Sequence, residues 1–252
     1  MGVGSIGIQT PLYPGAKQNQ FQFIPFPFGI YRGEYFRSDD EGTRARLLKP
    51  RAYELGLSFG FNFAVDSEET NLRKGMPSLD TILQVGPRFL YRFLTENPNQ
   101  RLNLSLAVRA AFATNFRSRF RETGLTILPE VGFWNRFPEY RTTFYTYLNF
   151  AFASDKFNGY FYDVQNRFAT GNRAQYDARS GLLTTALGVG FSKDITDDIL
   201  IFTGGSYRNL DWAANNNSPL VETRENLSFI LGILWIFYES DEKVKTIRPK
   251  MD

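Results

Sequence analysis

Seven charged residues stand where a chain rarely leaves charge. Glu54, Arg88, Arg92, Arg109, Glu130, Arg136 and Arg208 each fall inside a run of alternating apolar and polar residues. Five guanidiniums facing two carboxylates can do one of two things. They can pair, because a planar guanidinium takes a carboxylate through two parallel hydrogen bonds. Or they can leave a net cationic lining that favours anions at a constriction. Much other chemistry is excluded by simple counts. The chain has no histidine and no cysteine. A Ser-His-Asp triad, a Cys-His pair, thiolate chemistry, disulfides and His-based metal sites are therefore impossible. Asp163, Asp177, Asp194, Asp197 and Asp198 match no calcium-loop spacing and read as solvated turns. No catalytic residue, cofactor or metal is expected, and the chain is not expected to be an enzyme.

The elements that position these charges are strands. In "LNLSLAVRAAFATNF" (102–116), Leu102, Leu104, Leu106, Val108, Ala110 and Phe112 fall on one face. Asn103, Ser105, Ala107, Arg109 and Ala111 fall on the other. A period of two places these sets on opposite sides of a strand. "ELGLSFGFNF", "TILQVGPRFLYRF", "LTILPEVGFWNRF", "FYTYLNFAFA", "LLTTALGVGF" and "LSFILGILWIF" repeat the scheme. Trp134, Tyr145 and Tyr147 join the charges on the polar side.

Alternation suits both a soluble sheet and a membrane barrel, and other features separate them. Most runs reach a dozen residues or more, the length of a tilted bilayer crossing, whereas soluble strands average about five to six. The polar face holds Gly, Ala, Ser and Asn with isolated Arg and Glu, unlike the Lys- and Glu-rich face that water favours. The last strand ends in aromatics, Trp235 and Phe237. The chain of 252 residues is long enough for one large β unit, and aromatics make up 16% of it. Its best apolar run, "FILGILWIFY", is ten residues, short of the about 18 that a helical span needs. A net charge of +3 without a dense basic run gives nucleic-acid binding no support.

Ten crossings are expected, near 2–10, 21–32, 43–64, 79–94, 100–116, 123–137, 141–154, 182–194, 198–210 and 224–238. The third contains Pro50 and splits readily in two, so twelve strands are also possible. Connections alternate between tight turns ("TENPNQ", "PEYR", "DITDD") and long polar loops, with both termini at the short-turn end. The reading is an all-β, antiparallel up-and-down transmembrane barrel over 1–238, with a flexible periplasmic tail over 239–252. Any export signal is taken as already removed. The seven charges then point into the lumen, since an Arg on the lipid face near the midplane costs about 2–4 kcal/mol. Phe59, Phe112 and Phe150 face lipid. Tyr91, Trp235 and Phe237, with Tyr31, Tyr140 and Tyr207, serve as interface anchors. "RSRFRE" (117–122) is either a solvated loop or a holder of lipopolysaccharide phosphates.

The loops also carry a resemblance. "PLYPG" (11–15) followed by "PFPFGIYRGEYF", "RKGMPSLDTILQVGP" (73–87), "GYFYDVQNRFATGNRAQYDARSG" and "NNNSPLVE" (215–222) together are similar to the MltA-interacting protein/OmpV family of Gram-negative outer-membrane proteins. Two features depart from the family: an Asn triplet at 215–217, and fourteen residues beyond Phe237–Tyr238. The resemblance implies a barrel in the outer membrane, among lipid and lipopolysaccharide. It also implies a non-enzymatic scaffold for periplasmic murein enzymes, a lytic transglycosylase and a penicillin-binding protein. The alternative is a narrow porin-like channel for small, possibly anionic, solutes.

Overall fold

The computed structural model describes residues 1–28, 31–32, 36–39, 42–45, 52–93, 97–116 and 120–237. The expected tail (239–252), Tyr238, the side chain of Tyr31 and part of "RSRFRE" lie outside the described residues.

Strands β1 (Gly2–Pro11) and β2 (Asn19–Phe28) form the first hairpin. Three short strands follow, β3 (Tyr31–Arg32), β4 (Phe36–Asp39) and β5 (Gly42–Ala45), in a sheet of their own. Eight long strands complete the chain: β6 (Tyr53–Asn62), β7 (Thr81–Phe93), β8 (Gln100–Thr114), β9 (Arg121–Phe137), β10 (Thr142–Ala153), β11 (Gly181–Asp194), β12 (Ile199–Asn209) and β13 (Glu225–Ile236). The expected crossing at 43–64 is therefore two strands, β5 and β6, with Pro50 in the sequence between them. Proline donates no ladder hydrogen bond and restricts the residue before it. Of the crossing expected at 21–32, β2 is described as far as Phe28, and Tyr31–Arg32 belongs to the smaller sheet.

The ten long strands form one antiparallel sheet in the order β2-β1-β13-β12-β11-β10-β9-β8-β7-β6. A flat meander would leave its first and last strands at opposite edges. Here β1 and β13 pair from Gly2↔Ile236 to Gln9↔Phe229. The sheet has turned round on itself, and its two ends are β2 and β6, with the short strands β3, β4 and β5 between them in the chain. That order is an up-and-down barrel whose last seam, between β2 and β6, carries no strand pairing among the described residues.

The outward face is apolar and exposed. Phe59, Leu104, Leu106, Leu187, Phe229 and Leu231 are all exposed, with Phe59 at 59%. So continuous an apolar belt far exceeds the roughly few hundred Å² that a soluble monomer shows, and it suits lipid. Among the described residues no helix is long and apolar enough to cross a membrane. The short turns between β9 and β10 and between β11 and β12 are tied together, Arg141 Nη2 donating to Asp197 Oδ1 at 2.7 Å. The long loops gather at the opposite end.

Candidate functional site

The mouth at the long-loop end is filled. "SDKFNGYFY" forms α1 (Asp155–Tyr162), which the sequence reading took for a polar loop. Ser154 caps it by accepting from the Phe157 N–H, and Asp155 stands in the first turn, where the helix dipole favours an anion. Phe157 and Phe161 are four residues apart and so share a face, and both are buried. With Tyr162 they pack among Ile82, Ala111, Ala151, Ala153 and Leu183, one cluster drawn from β7, β8, β10 and β11. The alanines on the lumen face leave the space that the rings occupy. Gly124 has φ +111, and a Cβ there would lie 2.3 Å from Ser154 Oγ, so only glycine lets α1 start against β9.

Polar groups tie the other loops to this helix. Arg73 is buried and donates to the Phe161 carbonyl at 2.8 Å and to the Pro77 carbonyl at 3.2 Å. Burial holds its guanidinium below the ordinary value. Arg173 donates to the carbonyls of Phe168, Leu72 and Lys74 at 2.9, 2.6 and 3.1 Å. Tyr13 donates to the Leu220 carbonyl and Tyr162 to the Pro14 carbonyl, each at 2.9 Å. Burial raises the pKa of both phenols above the usual range. Asn226 accepts from the Gly15 N–H and donates to the Ala16 carbonyl, both at 2.8 Å. Asn215, in the Asn triplet, accepts from the Arg179 N–H and donates to the Arg179 carbonyl, again at 2.8 Å. The four loop segments singled out in the sequence thus meet in one plug. Their composition gave no sign of it, because polar loops and polar clasps have the same residue content.

Beneath the plug lies a cavity of about 420 Å³. Its lining includes Ser58 on β6, Arg88 on β7, Asn103 and Arg109 on β8, Glu130 and Trp134 on β9, and Tyr145 on β10. Of the seven expected lumen charges, Arg88, Arg109 and Glu130 line it together. Glu54 is buried and pairs with Arg92 at 2.8 Å. Arg136 stands apart, mostly exposed near the short turns and 3.9 Å from Asp194. Arg208, in register with Ala186 and Asn226, belongs to another sector of the wall.

The cavity's own groups are incompletely bonded. Arg109 donates twice to Ser58 Oγ, at 2.9 and 2.6 Å. Among the described residues no carboxylate lies within 4.0 Å of Arg88 or Arg109. Glu130 accepts one long hydrogen bond, 3.4 Å from the Tyr145 hydroxyl. Asn103 Oδ1 is buried without a partner. Gly60 gives Arg109 its room, since a Cβ there would stand 2.8 Å from Nη1. Trp134, Tyr145 and Tyr147 stack in sequence, with centroids 4.4 and 5.5 Å apart. No group of His, Cys, Asp and Glu suited to a metal occurs among the described residues.

Of the residues expected at lipid or its interface, Phe59, Tyr91, Trp235 and Phe237 are exposed. Phe112 and Phe150 are half-buried, on the strand faces that also carry Leu104, Leu106 and Leu148.

Comparison with known proteins adds a family. The model of the MltA-interacting protein MipA family matches residues 3–237. No curated protein matches the sequence. Among solved structures, the chain is similar to outer membrane phospholipase A from Escherichia coli at 9% identity, over 93% of this chain and 92% of that one, with a TM-score of 0.37. It is also similar to the Pseudomonas putida toluene transporter TodX at 10% identity, over 94% and 88% of the two chains, with a TM-score of 0.37.

Proposed function

The chain belongs to the MltA-interacting protein MipA family, and from that premise we propose that it is a non-enzymatic barrel of the Gram-negative outer membrane that acts as a scaffold for murein-synthesising or murein-remodelling proteins. The family match over 3–237 carries the reading, because the family's name is that of a protein that binds a partner called MltA. The plug supports it: a mouth packed with Phe157, Phe161 and Tyr162 suits a rigid platform better than a water-filled pore. The absence of histidine and cysteine supports the non-enzymatic part, since neither a His-assisted nucleophile nor a thiolate is available. The barrel sits among lipid and lipopolysaccharide, with its short turns and both termini toward the periplasm, where murein enzymes are found. The cationic lumen favours a second reading, a narrow channel for small anions.

Affinity capture from detergent-extracted envelopes separates the two. A scaffold retains a lytic transglycosylase or a penicillin-binding protein, and deleting 241–252 tests whether the tail helps hold it. Absence of any murein enzyme from the captured set, together with stable anion-selective conductance in planar bilayers, overturns the scaffold and supports the channel.

A further inference from the structure

The lumen cavity is a site whose protein partners are missing on both sides. Arg88 lines it and forms no hydrogen bond or ion pair among the described residues. Arg109 is held in place by Ser58 and by the space over Gly60, and reaches no carboxylate within 4.0 Å. Two half-buried guanidiniums with spare donors facing one cavity favour an anion, and the planar fork of each suits a carboxylate. The same cavity offers acceptors as well. Among the described residues Glu130 accepts only from the Tyr145 hydroxyl, at 3.4 Å, and Asn103 Oδ1 is buried with no donor. A buried acceptor without a donor is costly, and native structures rarely keep one without a role.

We infer that this cavity binds a small zwitterion of the amino-acid or dipeptide class, its carboxylate on Arg88 and Arg109 and its ammonium toward Glu130 and Asn103. The volume, about 420 Å³, falls in the range of small-ligand sites, roughly 300–1,000 Å³. The rings of Trp134 and Tyr145 form one side of the cavity and would cover the ligand's backbone or side chain. Access follows from the fold. The long-loop mouth is filled, while Trp134 and Asn103 lie in the half of β9 and β8 nearest the short turns. The ligand therefore arrives from the short-turn end, into a closed receptor site and not along a through-passage. This inference does not depend on which protein the barrel holds.

Arg88 provides the clean test, because it supports nothing in the fold. The full-length barrel, refolded in detergent, is titrated with alanyl-alanine, its C-terminal amide, its N-acetyl form and inorganic phosphate, read by calorimetry and by tryptophan fluorescence. Saturable binding of alanyl-alanine is expected, with the amide and the N-acetyl form each weaker by roughly ten-fold. Arg88→Gln should unfold at the parent's temperature yet bind alanyl-alanine roughly ten-fold more weakly. The inference is overturned if alanyl-alanine shows no saturable binding at millimolar concentration. It is equally overturned if the amide, the N-acetyl form or phosphate binds as well as the zwitterion, or if Arg88→Gln binds like the parent.

Discussion

Arg73 and Arg173 in the plug are buried, Arg88 and Arg109 in the lumen are half-buried, and the two pairs are satisfied in different ways. Each plug arginine donates to backbone carbonyls of a loop other than its own helix or turn: Arg73 to Phe161, and Arg173 to Leu72 and Lys74. The lumen arginines meet a single hydroxyl between them, that of Ser58. A guanidinium bonded to carbonyls has its donors used by the chain itself and holds distant segments together. A guanidinium left with free donors beside a cavity is available to something the chain does not contain. The contrast separates structural arginines from binding ones without reference to their charge, which is the same in both.

The comparison breaks first in the plug. Arg73→Ala removes the bonds to the carbonyls of Phe161, a buried residue, and Pro77, which keeps the Ser67 hydroxyl. Bonds from a charged donor are worth about 1.5–3 kcal/mol each, so a loss of about 3 kcal/mol is expected in guanidinium unfolding of the detergent-solubilised barrel. The 154–180 loop should become sensitive to protease, and conductance should appear where the parent has none. Unchanged proteolysis and an unchanged unfolding midpoint would show that the clasp holds nothing.

The sequence made one of these regions legible and hid the other, for a physical reason. Lumen residues sit on strands, and a strand announces its faces through a period of two. Hence Arg88, Arg109 and Glu130 were assigned to the inside from pattern alone, and the cavity holds all three. What pattern did not carry was pairing across strands. Glu54 pairs with Arg92 across neighbouring strands, whereas Arg109 turns to Ser58 two strands away. The plug is assembled from segments far apart in the chain, Tyr13 meeting Leu220 and Arg73 meeting Phe161. Such contacts leave no local period, and "RKGMPS" and "NNNSPLVE" read simply as polar loop. Helix α1 has eight residues, about two turns, too short for the helical period to stand out. The division of 43–64 into β5 and β6 was legible from the proline in that stretch, because a missing donor acts locally.

In the lumen the expected effect is smaller. Arg109→Ala loses two bonds to one neutral hydroxyl and orphans no carboxylate among the described residues. A loss of about 1–2 kcal/mol is expected, below that of Arg73→Ala. With the plug intact above it, conductance should stay at the parent's level. If instead Arg109→Ala destabilises more than Arg73→Ala, the division between clasping and binding arginines fails.

The last effect is a pH dependence of the plug that appears only in alkali. Tyr13 and Tyr162 are almost wholly buried, and each donates its hydroxyl to a carbonyl. Desolvation is the largest cause that raises both above the ordinary phenol value of 10.0; the nearby Arg73 guanidinium partly opposes the rise at Tyr13. The sign follows from linkage. A group whose folded value exceeds its unfolded value contributes stability that is complete below the unfolded value and is lost as pH rises through the folded one. Stability should therefore be flat from neutral pH to about 10 and decline above it. The decline should be about 1.4 kcal/mol per buried phenol for each pH unit over which it stays protonated while the unfolded chain ionises. Absorbance at 295 nm should show part of the 13 tyrosines titrating late, released only as protease sensitivity appears in the plug loops. Phenylalanine at both positions should reduce the late fraction and leave the lumen site's affinity for alanyl-alanine unchanged. A fully normal tyrosine titration, with the plug still protease-resistant at pH 11, would mean that these hydroxyls are exposed and that the plug is held by its arginines alone.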